Sequence, residues 1–138
     1  MTGLSMTKVG VGCPDIETLE GFVRRRMAAE GEAYIFTRFM PKRAEEMTGG
    51  SLYWIIRSRL ACRQLILGLS EAADGQGRVR VKISLDPNVV RVVPRPFRPH
   101  QGWRYLDAAD APPDLDDGRG AGDLPPDVLA ELVRLGLV

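Results

Sequence analysis

From residue 78 onward the chain alternates strictly: Val79, Val81, Ile83 and Leu85 are apolar, and Arg78, Arg80, Lys82 and Ser84 between them are polar. Period two is the mark of a β-strand with one buried and one wet face. Asp74-Gly75-Gln76-Gly77 just before it supplies turn chemistry, because glycine tolerates the positive φ of a hairpin loop. The upstream run 57–69 is then the hairpin partner, and Ser51-Leu52-Tyr53-Trp54-Ile55-Ile56 after Gly49-Gly50 is a third strand. These three consecutive antiparallel strands are predicted to form the middle of one sheet. A helix over 58–73 competes, since Leu, Ala, Gln and Arg are good helix formers, but Gly68 interrupts it. Tyr53 and Trp54 point to opposite faces of an extended run, so one of them is a surface platform unless a second layer covers it.

Residues 8–12 read as a short first strand. Asp15 precedes Ile16, Leu19, Phe22 and Val23, spaced three and four apart, and is the expected N-cap of a helix ending near Gly31. A second strand is expected over 32–39. Pro41 ahead of Ala44, Glu45, Glu46 and Met47 predicts a short helix closed by Thr48-Gly49-Gly50. Residues 89–93 form a further strand, expected to stop at Pro94. Residues 107–122 are acidic and rich in proline and glycine, and read as an irregular linker. Asp123 then caps a terminal helix through Val128, Leu129, Leu132, Val133 and Leu135. The expected fold is α+β: one domain over 1–106 with a mostly antiparallel sheet, barrel closure left open, and a C-terminal helix over 123–138 docked on it.

A chain of 138 residues, 44% hydrophobic and 27% charged, suits one globular core. Arg or Gly breaks every apolar run well before the length of a bilayer span, and residues 1–12 lack the apolar stretch of a secretory signal. No membrane association and a cytosolic location are expected. Cys13 and Cys62 have no CxxC companion and read as buried free thiols. With His100 the sole histidine, a zinc site or a His-based triad lacks parts, so no metal or cofactor is expected.

The net charge of +1 conceals a segregation. Residues 41–104 hold twelve Lys and Arg against five Asp and Glu, whereas residues 105–138 hold two against eight. Such asymmetry points to an anionic partner, or to an acidic tail folded over a basic sheet. Arg78, Arg80 and Lys82 would set cations roughly 6.6 Å apart along one strand face. Lys42 and Arg43 stand at the start of the short helix, and Arg63-Gln64 lie inside an apolar run where they need partners. The stretch 94–106 adds Arg95, Arg98, His100, Gln101, Trp103, Arg104 and Tyr105, held extended by its prolines as a ligand clamp or a rigid lid. With Trp54 these residues make the candidate binding set. Cations beside stacking rings are the usual recipe for single-stranded nucleic acid.

The blocks Pro41-Lys42-Arg43, Gly50-Ser51-Leu52-Tyr53-Trp54-Ile55-Ile56, Arg63-Gln64, Leu85-Asp86-Pro87 and Gln101-Gly102-Trp103-Arg104-Tyr105-Leu106, with Ala111-Pro112-Pro113-Asp114-Leu115, resemble domain-of-unknown-function family 1489, small bacterial proteins. The resemblance covers nearly the whole chain and implies no activity. Positions 57–58 are Arg-Ser where the family pattern leads one to expect a Lys-Gly-like pair. A similarity of layout alone links the chain to small β-barrel RNA-binding modules of the PUA and ASCH kind.

The leading expectation is a binding module for RNA, another single strand, or a phosphorylated, nucleotide-like compound. An enzyme would have to draw on His100, Glu45, Glu46 and Asp114, with Arg63, Arg98 or Arg104 holding an anion, but no nucleophile stands at a recognisable spacing from a base. A non-catalytic interaction domain, its acidic tail clasped over the sheet, is the third reading.

Overall fold

The protein is described by a computed structural model over residues 3–115. Its strands are β1 (Ser5–Val9), β2 (Ala33–Thr37), β3 (Ser51–Ile56), β4 (Arg59–Ala73), β5 (Val79–Leu85), β6 (Val90–Pro96) and β7 (Trp103–Leu106). Helix α1 (Ile16–Glu30) joins β1 to β2, and the short α2 (Ala44–Met47) joins β2 to β3. The strand order is β2-β5-β4-β3-β1-β7, with β6 also paired to β4. Every pairing is antiparallel except β1 with β3.

The strand β4 is the spine. One edge holds β3, while the other is shared end to end by β6, opposite residues 59–63, and β5, opposite residues 66–73. The expected three-strand centre is therefore present, with a turn at 57–58. Arg57 and Ser58 both adopt positive φ, 54° and 59°. Positive φ at both central residues belongs to the two-residue hairpin turn whose twist matches that of its strands, and side chains there are strained. The proline expected to end β6 does not: Pro94 lies within it, at a register shift where residues 92–94 stand opposite Ala61. Prolines enter sheets at such irregularities because no ladder N–H is needed there.

Both faces of the sheet are covered. Met6, Leu52, Trp54, Ile56, Cys62, Ile66, Val81, Ile83 and Leu85 form the larger core with Ile16 and Leu19 of α1. Tyr53, Ile55, Leu60, Val92 and Leu106 form a smaller one, with Phe97 and Ala111 packed on it. Tyr53 and Trp54 are thus both 7% exposed, and neither is a surface platform. Their alternation was legible, but the second layer that buries Tyr53 comes from residues 97–111.

Helix α1 begins and ends as its caps dictate. Asp15 accepts from the Thr18 amide at 2.8 Å, and Gly31, at φ 75°, donates its N–H to the Met27 carbonyl. Before β3 the backbone of residues 3–4 passes directly over Gly50, where a Cβ would collide with the Leu4 carbonyl.

The barrel-like closure that the layout allowed is not found: among the described residues β2 and β7, at the ends of the sheet, are not paired. Residues 107–115 hold a 3₁₀ turn at Ala108–Asp110, followed by backbone bonds from Val93 to Pro113 and from Leu115 to Arg91. The rest of the expected linker and the C-terminal helix lie outside the described residues.

Candidate functional site

Most of the predicted cations are held by carboxylates of this chain. Arg78 and Arg80 both reach Asp74, at 3.1 and 3.7 Å, and Lys82 meets Glu32 at 2.7 Å while lying 4.4 Å from the Tyr34 ring. Two carboxylates, Asp74 and Glu32, thus face the three cations at the start of β5 and along it. Arg63 donates to both Asp114 oxygens at 2.8 Å, a hydrogen-bonded pair that holds the Asp114 carboxyl below its usual range. Arg95 donates to the Asp110 carbonyl and lies 3.7 Å from its carboxylate. Asp110 and Asp114 thus each face one arginine of the sheet.

Gln64, 1% exposed, accepts from the Trp54 indole at 2.9 Å and donates to the Asp86 carbonyl at 3.0 Å, so its amide braces the core. His100 is held between two partners: Nδ1 lies 3.2 Å from the Gln101 carbonyl, and Nε2 and the Thr7 hydroxyl share a hydrogen bond of 2.7 Å. Glu46 pairs with Arg43, whose hydrogen bonds hold its carboxyl below the usual range, and Asp114 with Arg63. The acid–base candidates His100, Glu46 and Asp114 thus each serve a separate local contact. Arg98 and Arg104 are exposed and form no ion pair among the described residues, and Arg104 stands opposite Thr7 in the β1–β7 register. Among the described residues no cluster of His, Cys, Asp and Glu could hold a metal ion, and no helix is long and apolar enough to cross a membrane.

What the fold does gather lies at the open seam of the sheet. Five strand spacings separate β2 from β7, roughly 24 Å if the sheet were flat. Yet Phe36 and Thr37 of β2 line the same groove, about 690 Å³, as Trp103 and Tyr105 of β7. The sheet therefore curls until its two ends face each other across an unfilled gap. The loop after β2 bridges one end of that gap: the Arg43 amide donates to the Tyr105 hydroxyl at 3.1 Å, and its guanidinium lies 5.6 Å from the Tyr105 ring.

Three cations line this groove, Lys8, Arg38 and Lys42, and none forms an ion pair with a carboxylate among the described residues. Trp103 stands opposite Lys8 in the register, and its ring meets Tyr105 edge-on at 4.9 Å between centroids. Phe39, 74% exposed, projects beside Arg38, whose guanidinium is 5.9 Å from its ring. Gln101 adds an amide to the wall.

The family model of a protein of unknown function, DUF1489, matches residues 6–138. The chain belongs to this family. No curated protein and no solved structure matches it. The segments Gly50–Ile56 and Gln101–Leu106 place β3 and β7 on either side of β1, so the one ending in Tyr105 and Leu106 is an edge strand bordering the groove.

Of the predicted set, the groove thus holds Lys42, Gln101, Trp103 and Tyr105, with Arg43 at its rim. Arg63, Arg78, Arg80, Lys82, Arg95 and His100 are engaged elsewhere, and Trp54 and Gln64 belong to the core beneath α1. Sequence reasoning missed Lys8, Arg38 and Phe39. Their signals were local: a lysine in the apolar phase of β1, two positions after Met6, and an Arg-Phe-Met run just past β2.

Proposed function

We propose that the protein binds an anionic ligand carrying planar rings, a single strand of RNA or DNA or a nucleotide, in the groove between the end of β2 and β7. The observation that carries this reading is the coincidence of Lys8, Arg38 and Lys42, free of carboxylates among the described residues, with Trp103, Tyr105 and Phe39 along one open channel. Cations on a backbone and rings beneath its bases are the two components of sequence-tolerant single-strand binding. An open groove favours a strand that passes through over a compound enclosed on all sides. Arg63, Arg78, Arg80, Lys82 and Arg95 have carboxylate partners within the fold, so of the cationic surplus of residues 41–104 it is Lys42 that the groove draws on.

The direct experiment is binding of short unstructured RNA and DNA strands over a range of salt concentrations. Replacing one cation that touches a phosphate should make the slope of log affinity against log salt shallower by about 0.7. Absence of binding at low salt would refute the proposal.

A further inference from the structure

A second concavity, of about 480 Å³ and open to solvent on one side, lies between α1 and the sheet. Open pockets of this size with apolar walls are where small ligands sit. Here the walls are Leu19 and Val23 from the helix and Ile35 and Trp54 from the sheet. The helix is not fully seated over them: Ile16 and Leu19 are its buried residues, and Phe22 stays 45% exposed.

The charged side chains of the lining have one sign. Lys8, Arg25 and Arg26 line the cavity, and no Asp or Glu does among the described residues. Arg26 is engaged by the Tyr34 carbonyl and Glu30, and Arg25 lies over the Phe22 ring at 4.9 Å. The Lys8 ammonium has neither an ion pair nor a hydrogen bond among the described residues. Deeper in, the Trp54 indole is satisfied by Gln64, which leaves a largely apolar floor.

We propose that this cavity is a binding site for a small amphiphilic anion, a medium-chain aliphatic carboxylate, with its tail against Trp54 and Leu19 and its head at Lys8. The site is separate from the groove proposed to hold nucleic acid, although Lys8 lines both.

The chain has two tryptophans, so in the Trp103→Phe variant the fluorescence comes from Trp54 in the cavity wall. Titrated with decanoate, this variant should show a saturable change in emission. Decanol, which lacks the charge, should bind about tenfold more weakly, the scale of one charge-assisted hydrogen bond, and Lys8→Met should lower decanoate affinity by a similar factor. Val23→Phe, filling the space, should abolish the response. No saturable response, equal affinity for decanoate and decanol, or an unchanged affinity in folded Val23→Phe would each overturn the proposal. Should the variants fail to fold, the unaltered chain still decides: Cys13 lines the cavity, and decanoate must slow its reaction with a thiol reagent.

Discussion

Arg63 and Asp114, fifty-one positions apart, meet through two parallel hydrogen bonds of 2.8 Å, their side chains 22% and 30% exposed. This fork ties the last described segment to β4, over the smaller core. Ser51 accepts a further bond from the same guanidinium at 3.1 Å, so the arginine spans β3, β4 and the segment after the 3₁₀ turn.

The pair predicts a specific acid sensitivity. Hydrogen bonding to Arg63 lowers the Asp114 pKa in the folded protein from its ordinary 3.8. A carboxylate depressed by folding contributes stability that is complete above the unfolded pKa and fades as pH falls through the lower folded value. Asp114→Asn should cost about 1–3 kcal/mol near neutrality. Urea midpoints measured from pH 6 down to pH 2 should show the difference between the two chains shrinking below about pH 4. A difference that stays constant to pH 2 would contradict the assignment.

Ser58 holds φ at 59° in the turn between β3 and β4, where its side chain is exposed. Its carbonyl accepts from Phe97 and Arg59, bonds that a glycine retains. Ser58→Gly should therefore stabilise the fold by about 1 kcal/mol, since the left-handed conformation costs a residue with a Cβ about that much. Thermal unfolding of the two chains checks it, and a lower melting temperature for the glycine variant would count against the turn geometry.

Gly50 is required for a different reason. A Cβ there would strike the Leu4 carbonyl, which is backbone, so no side chain can swing aside. Gly50→Ala should destabilise by about 1–3 kcal/mol, the usual cost of forcing packed atoms apart. Chemical denaturation measures this, with Gly75→Ala as control because its added Cβ meets nothing within 4 Å.

What could be read in advance was local. The caps of α1 lie within four residues of what they cap, and the β4–β5 hairpin is announced by alternation and by its own turn. The parallel pairing of β1 with β3, across two intervening helices and a strand, and the docking of β7 on β1 left no mark of comparable strength. The site suffered most from this. Alternation placed Arg78, Arg80 and Lys82 correctly on one face, but charge counting could not show Asp74 and Glu32 reaching them. Conversely, Lys8 and Arg38 lie thirty positions apart and line one groove because the sheet curls, a consequence of twist accumulated over six strands.

The groove is separated from the basic face of β5 by a pair of charge reversals. Binding of a fluorescent RNA strand of about 12 nucleotides, a length suited to one such channel, should be compared at low salt for Lys42→Glu and Arg78→Glu. Lys42 stands in the groove without a carboxylate partner among the described residues, whereas Arg78 is already paired with Asp74. Lys42→Glu should weaken binding by about tenfold and flatten its salt dependence, while Arg78→Glu should change affinity by less than about twofold. Equal losses in the two variants, or a larger loss for Arg78→Glu, would place the nucleic acid on the β5 face and contradict the groove.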